Sequence, residues 1–272
     1  MCAVSIEDRM IELLTPIFRD EWAHFGEGLT CREAVGNNAY LLADLLNEPE
    51  KIDEILVKRA RFYGVDDLRP VASIWLLKYV TLLVPPVAVA ATVLQHGFPV
   101  RPQDISVILD EDATPVTFVI PQLGESIAGL GTQQRYIPLI KEHLQPLIAY
   151  LSSHSGVPSK ILWGNVSRRL ETILTLAQQL DTLSPETIQR AASDREFLLE
   201  CRTWPENERN PMFGSKRQTT RVTENGEVPV QLHRHCCLDY LLPEGSYCGL
   251  CPLSPEFRKR KKRVPSTKPN AD

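Results

Sequence analysis

Four of the seven cysteines in this 272-residue chain fall within sixteen residues. Cys236 and Cys237 are adjacent, ten residues follow, and Cys248 and Cys251 form a CxxC, all within HRHCCLDYLLPEGSYCGLCP at 233–252. Four thiolates can satisfy one tetrahedral metal ion or one iron–sulfur cluster. Gly249 is expected to let the CGLC knuckle turn so that both sulfurs face inward, and Pro252 to stiffen its exit. The adjacent pair is the unusual part. In an extended chain neighbouring side chains point to opposite faces, so two sulfurs aimed at one centre demand a sharp bend. Structural zinc sites mostly use spaced pairs. A two-iron cluster presents two metals and accommodates adjacent ligands more readily, so the pattern favours a cluster while leaving zinc open. A disulfide pair does not suit a reducing compartment, and four unrelated core cysteines do not suit so turn-rich a segment. Cys2, Cys31 and Cys201 stand apart and read as ordinary residues.

His233, Arg234 and His235 directly precede the first ligand. Cationic groups there would favour a reduced, more negative centre, and solvated strand surface is the alternative. Tyr240 and Tyr247 flank the ligands and read as packing aromatics that shield them. Trp163 and Asn165 are placed in a turn between helices, as a packed aromatic and a helix N-cap, with the lining of a substrate face as the alternative. GESIAGLG at 124–131 lacks the glycine spacing of a dinucleotide loop, so no bound NAD or flavin is expected.

The elements that must position these residues are mostly helical. Composition is that of a globular protein, 43% hydrophobic and 24% charged. Met10, Leu13, Leu14, Ile17 and Phe18, with Ile6 before them, predict a helix over 5–23. Thr30 with Glu33 resembles a capping box and predicts a helix to Asn47. Pro49 opens another with Ile52, Ile55, Leu56 and Ala60 on one face, ending near Gly64. The most apolar stretch, Pro70–Gln95, carries Lys78 and is broken by Pro85-Pro86. It reads as two buried helices meeting at the prolines. A membrane span is the minor alternative, since a mid-bilayer charge costs roughly 2.5–3.5 kcal/mol. The period then shortens: Ile105–Leu109 and Val116–Ile120 flank DEDATP and predict a β-hairpin. Helices resume over 135–153 and 165–180, and from Ser184-Pro185-Glu186 to about Cys201. A loop and a second hairpin, turning at ENGE between RQTTRV and VPVQLHR, lead to the cysteines.

These readings give a helix-rich α+β fold with a central β-hairpin and an irregular C-terminal iron–sulfur lobe. The expected divisions are a body over 1–201, a cluster-binding region over 202–255 and a basic, disordered tail over 256–272. Net charge is −4 overall, the sum of −9 for residues 1–251 and +5 for 252–272. An acidic body argues against nucleic acid as a partner, and the basic run RKRKKR at 258–263 reads as a solvated tail. The opening MCAVSIEDRMIELL has no basic region leading into an apolar one, so no secretory signal is expected. The expected location is cytoplasmic, with peripheral attachment to the inner membrane as a variant.

At the cysteines the chain resembles the ferric-siderophore reductases, the FhuF-like ferric iron reductases, whose C-terminal CC-x10-C-x2-C motif holds a [2Fe-2S] cluster. Cys236, Cys237, Cys248 and Cys251 match that motif position by position, including its CGxCP ending. NPMF at 210–213 and HLQPLIAYLSSHSGVPSKILWGN at 143–165 are similar in style to the same family. The resemblance implies a [2Fe-2S] cofactor on those four cysteines and one-electron reduction of a ferric siderophore of hydroxamate type. It also implies an external electron donor, a ferredoxin or a reductase, and no stable membrane insertion. A zinc-stabilised binding protein and a cluster-bearing redox sensor are the alternatives. The chemistry is coherent: ferric iron is a hard cation held by hard oxygens, ferrous iron is held far less tightly, and one electron releases the metal without breaking the ligand.

Overall fold

The computed structural model describes residues 10–257, apart from 35, 37 and 225. The fold is α+β and helix-rich. Its strands are β1 (Leu29–Cys31), β2 (Ala39–Leu41), β3 (His96–Gly97), β4 (Ser106–Leu109), β5 (Pro115–Ile120), β6 (Glu125–Ser126), β7 (Gln218–Thr223) and β8 (Gly226–Gln231). Its α-helices are α1 (Leu42–Asn47), α2 (Pro49–Tyr63), α3 (Leu68–Val89), α4 (Thr132–Ile137), α5 (Gln145–Ser155), α6 (Ser159–Gln179) and α7 (Pro185–Arg195).

The central hairpin forms as its composition predicts, with β4 antiparallel to β5. The Asp110 carboxylate accepts from the amides of Asp112 (2.9 Å) and Thr114 (2.8 Å) and closes the turn. A hairpin alone has two open edges, and unpaired edge groups seek partners. Here β1 pairs parallel to β5 and β2 antiparallel to β4, giving a four-stranded sheet ordered β1-β5-β4-β2. This overturns the helix expected over 30–47. Thr30 does not cap a helix but donates to Phe118 O at 3.2 Å, and only 42–47 is helical. The expected helix over 5–23 is also absent among its described residues. Pro16 interrupts the pattern, leaving two short 3-10 turns at Glu12–Leu14 and Asp20–Phe25, although Leu14 and Phe18 are still buried.

The apolar stretch is one helix rather than two. Pro85 and Pro86 lie inside α3, which passes at Ala90–Leu94 into a wider π turn. Proline at 86 removes the amide that would bond the Leu82 carbonyl. Gly28 packs against that carbonyl so closely that a Cβ there would lie 2.1 Å from the oxygen. Helix α3 is apolar on all sides, and 72% of its most apolar window is buried in the protein. It touches the sheet through β5 and β1 and packs against α6. Trp75 Nε1 donates to Ala113 O (3.0 Å) in the hairpin turn, where Ala113 has a positive φ.

Helices α2, α6 and α7 follow their predicted patterns, with Gly64 (φ 66°) closing α2 and the Ser184 hydroxyl capping α7. Helix α6 starts earlier than expected, at Ser159, because Val157-Pro158 already ends the preceding turn. Between α4 and α5, and again after α7, the backbone widens into π turns at Pro138–Leu144 and Glu196–Glu200. Two polar groups are locked in the core beside these turns. Asp194 pairs with Arg135 and accepts from the Thr92 hydroxyl (2.7 Å), and Thr92 also bonds the Tyr136 hydroxyl (2.8 Å). Tyr79 and His143, both fully buried, share a 2.7 Å hydrogen bond, and His143 Nδ1 donates to Val100 O at 2.7 Å.

Candidate functional site

The second hairpin, β7–β8, forms as predicted and carries the chain to the cysteines. Its arginines hold the end of the described chain in place. Arg217 donates to Phe257 O at 3.1 Å, and Arg221 pairs with Glu256 at 2.9 Å and bonds the Gly249 carbonyl. The two halves of the motif are tied together where the His233 amide donates to Leu250 O at 2.9 Å.

The four sulfurs converge. Cys251 Sγ lies 3.3 Å from Cys236 Sγ, and Cys237 contacts the sulfurs of both Cys236 and Cys248. Cys236, Cys237 and Cys251 are buried, and Cys248 is partly exposed. The bend that adjacent cysteines require is built from residues after them. Leu238 has a left-handed backbone (φ 67°), and its amide donates to Cys236 Sγ at 3.3 Å. The Asp239 amide reaches Cys237 in the same way. Gly249, expected to make the knuckle, is not among the glycines of positive φ. The glycine the loop needs is Gly245, where a Cβ would meet the Asp239 carbonyl at 1.7 Å.

The platform beneath this loop is α6. A Cβ at Gly164 would lie 3.2 Å from His235 Cβ and 3.3 Å from its Cδ2, so the missing side chain makes room for the histidine beside Cys236. One turn on, Arg168 donates to His235 O at 3.3 Å. The Nε atoms of Arg168 and Arg169 are buried and have no hydrogen-bond partner among the described residues. Both guanidiniums act on Cys237. The thiols of Cys236 and Cys248 donate to Cys237 and hold it well below the ordinary thiol range, and the Asp239 amide and Arg168 add to this. Those two donors are in turn pushed up, first by bonding to Cys237 and then by burial.

The HRH triplet plays another part than its composition suggests. Burial, then Arg168, pushes His233 down to about 4, so that ring is neutral at pH 7, and burial lowers His235 as well. Arg234 donates to Leu199 O (2.9 Å) and Gly214 O (2.8 Å), bracing the connector. Positive charge at the sulfurs therefore comes from Arg168 and Arg169. Their only sequence signal is a paired arginine on an amphipathic helix of an acidic body. Trp163 and Asn165 lie within α6, not in a turn. Trp163 is packed, and Asn165 caps nothing: its amide donates to Ser73 O at 2.9 Å, joining α6 to α3. Tyr240 and Tyr247 stack with ring centres 4.6 Å apart. Cys2 and the basic run at 258–263 lie outside the described residues.

Among the described residues, no three or more His, Cys, Asp or Glu side chains stand as a ready metal cage. The sulfurs touch at 3.3 Å, whereas sulfurs about 2.3 Å from one tetrahedral ion stand roughly 3.8 Å apart. The donor chemistry nonetheless fits a thiolate-ligated iron–sulfur group. The donors are all soft sulfurs, they are mostly buried, and two guanidiniums face them with N–H groups that an anion would satisfy.

Residues 73–229, more than half of the chain, match the family described as "Ferric iron reductase FhuF-like transporter". The match ends before Cys236. The "Ferric siderophore reductase" of Escherichia coli (strain K12) is 27% identical over 186 residues, which is 68% of this chain and 66% of that protein. Among solved structures, the ATP-bound aerobactin synthetase IucA of a hypervirulent Klebsiella pneumoniae pathotype is 14% identical, with a TM-score of 0.49 over 65% of this chain and 37% of that one. The aerobactin synthetase IucC from the same source is 14% identical, with a TM-score of 0.44 over the same shares. The chain thus spans about two thirds of its curated relative and little more than a third of these synthetases. By the family match over residues 73–229, this chain is a member of the FhuF-like ferric iron reductase family.

Proposed function

We propose that this protein is a cytoplasmic ferric-siderophore reductase that delivers one electron to the iron of a hydroxamate-type complex and releases it as ferrous iron. The observation that carries the reading is the convergence of Cys236, Cys237, Cys248 and Cys251 over two half-buried arginines whose Nε atoms are buried without a partner among the described residues, in a chain of this family. A [2Fe-2S] cluster on those thiolates supplies a single low-potential electron, about −400 mV in all-thiolate examples. The chain's own residues set the conditions. Arg168 and Arg169 place positive charge where negative charge must collect, and burial strengthens that interaction. The Leu238 and Asp239 amides point at the sulfurs and stabilise their ionised form. Ligation would ionise the three thiols besides Cys237, so assembly would release protons and be favoured by the same charges. The substrate loses its hold on the metal because ferrous iron is a poorer match to hard oxygen donors.

The test is anaerobic purification followed by iron, sulfide and zinc analysis and a visible spectrum. Reduced protein is then mixed with ferric trihydroxamate and a ferrous trap. Red-brown protein with iron and labile sulfide, and ferrous iron formed above the donor's background, is the expected result. Colourless protein with stoichiometric zinc would establish the zinc-binding alternative. A coloured protein that forms no ferrous iron would be a redox sensor.

A further inference from the structure

Beside the thiols a groove of about 660 Å³ runs between α6 and β8 and ends at Leu250, between Cys248 and Cys251. Four of its lining residues are cations, Arg168, Arg195, Lys216 and Arg234, and one is a carboxylate, Glu171. Glu171 is already shared, since Lys216 bonds it closely and Arg195 bonds it at 3.3 Å. Arg234 donates only to carbonyls, which carry no net charge, and Arg168 keeps a buried Nε without a partner among the described residues. Just outside the lining, Glu200 pairs with Arg195 at 2.7 Å and acts on Arg234, so two negative charges face four positive ones. Burial, and then the charge of Arg234, push Lys216 down to about 8. Like charges in excess of their counter-ions destabilise a fold, so the net positive groove favours something anionic.

We propose that this groove is the substrate site and that it selects ferric chelates of net negative charge, such as hydroxamate ligands that carry further carboxylates, over cationic ones. The inference rests on the reductase reading and adds the substrate's charge and place. The volume is that of a small-molecule site, which typically measures about 300–1,000 Å³. An acidic electron-donor protein would instead dock over a wider patch, up to about 600 Å² on this chain. The neighbouring cysteines put a chelate seated here beside the source of the electron, and Arg168 belongs to both sites.

The probe is the gallium(III) complex of a linear trihydroxamate, which copies the ferric complex in charge and size but is not reduced. It is prepared in two forms, singly cationic with its terminal amine free and singly anionic with that amine succinylated. Titration calorimetry on the full-length protein should show the anionic form bound about tenfold more tightly, with the gap closing as salt rises. Lys216→Gln should weaken the anionic form about fivefold and leave the cationic form unweakened, and Lys216→Arg should restore affinity to within about twofold. Equal affinities, tighter binding of the cation, or an equal loss for both forms in Lys216→Gln would overturn the proposal. So would a variant that loses affinity for an acidic ferredoxin and for neither chelate. If the anionic gallium complex binds as expected but its ferric counterpart is not reduced, the groove stands and the reductase reading falls. If both ferric forms are reduced with no preference in binding, the reverse holds.

Discussion

Gly164→Ala sets two known effects against each other at the joint between platform and cysteine loop. In an open helix position the change would stabilise the protein by about 1 kcal/mol, because alanine loses less backbone freedom than glycine. Here the new methyl group would sit 3.2 Å from His235 Cβ and 3.3 Å from Cδ2, several tenths of an ångström inside comfortable contact. Overpacking of this kind costs about 1–3 kcal/mol. The clash should therefore match or outweigh the helix gain, giving a net change between roughly zero and a loss of 2 kcal/mol. For a protein of this size that corresponds to a melting point lowered by up to about 8 °C. His235 can relieve the contact only by moving Cys236 and Cys237 with it. The readouts are calorimetric unfolding and the rate at which a thiol reagent labels Cys237, which should rise. His235→Ala removes two of the three close contacts and should recover part of the loss in the double variant. A melting point raised by the full helix increment, with unchanged labelling, would refute the docking of this loop on α6.

Three further outcomes follow from the buried groups. Burial pushes His143 down to about 4 against an ordinary 6.5, so its neutral form stabilises the fold above pH 6.5 and that contribution is lost as pH falls from 6.5 through 4. The loss is roughly 3 kcal/mol, and urea midpoints at pH 7 and 4.5 should differ less in His143→Gln than in the parent; an equal difference would clear His143 of the effect. Asp194→Asn leaves Arg135 buried without its counter-charge and should cost about 3–5 kcal/mol by chemical denaturation, a loss that Arg135→Met in the same chain should partly recover. Arg168→Leu removes positive charge beside Cys237 and should lower the midpoint potential of the iron-loaded protein by tens of millivolts in a redox titration; an unchanged potential would remove Arg168 from that role.

The parts of the molecule legible in its sequence are those decided locally. The cysteine spacing, both hairpins and helices α2, α6 and α7 rest on turn chemistry or on periodicity within a few residues. What could not be read depends on distant partners. Thr30 has the neighbours of a helix cap, yet the open edge of β5, some ninety residues away, claims it for a strand. Pro85-Pro86 look like a break, yet α3 continues through them because the turns around them, Leu83–Val89, are buried and Gly28 accommodates the Leu82 carbonyl. The same limit applies at the site. The sulfurs could be named from their spacing, but the arginines facing them come from a helix nearly seventy residues earlier, and the HRH triplet sounded more cationic than its burial allows.

The dependence of the cysteine loop on α6 also bears on how the protein is made. The supporting helix ends at Gln179 and the first of the paired sulfurs follows at Cys236, so during synthesis the seat exists before the groups that rest on it emerge. At ribosomal speeds of about 5–20 residues per second the interval is a few seconds, long enough for a helical body to collapse. Newborn thiols then meet a prepared, positively charged surface instead of wandering into chance pairings. Whatever those thiols come to hold would then be loaded last, on a chain already shaped around them.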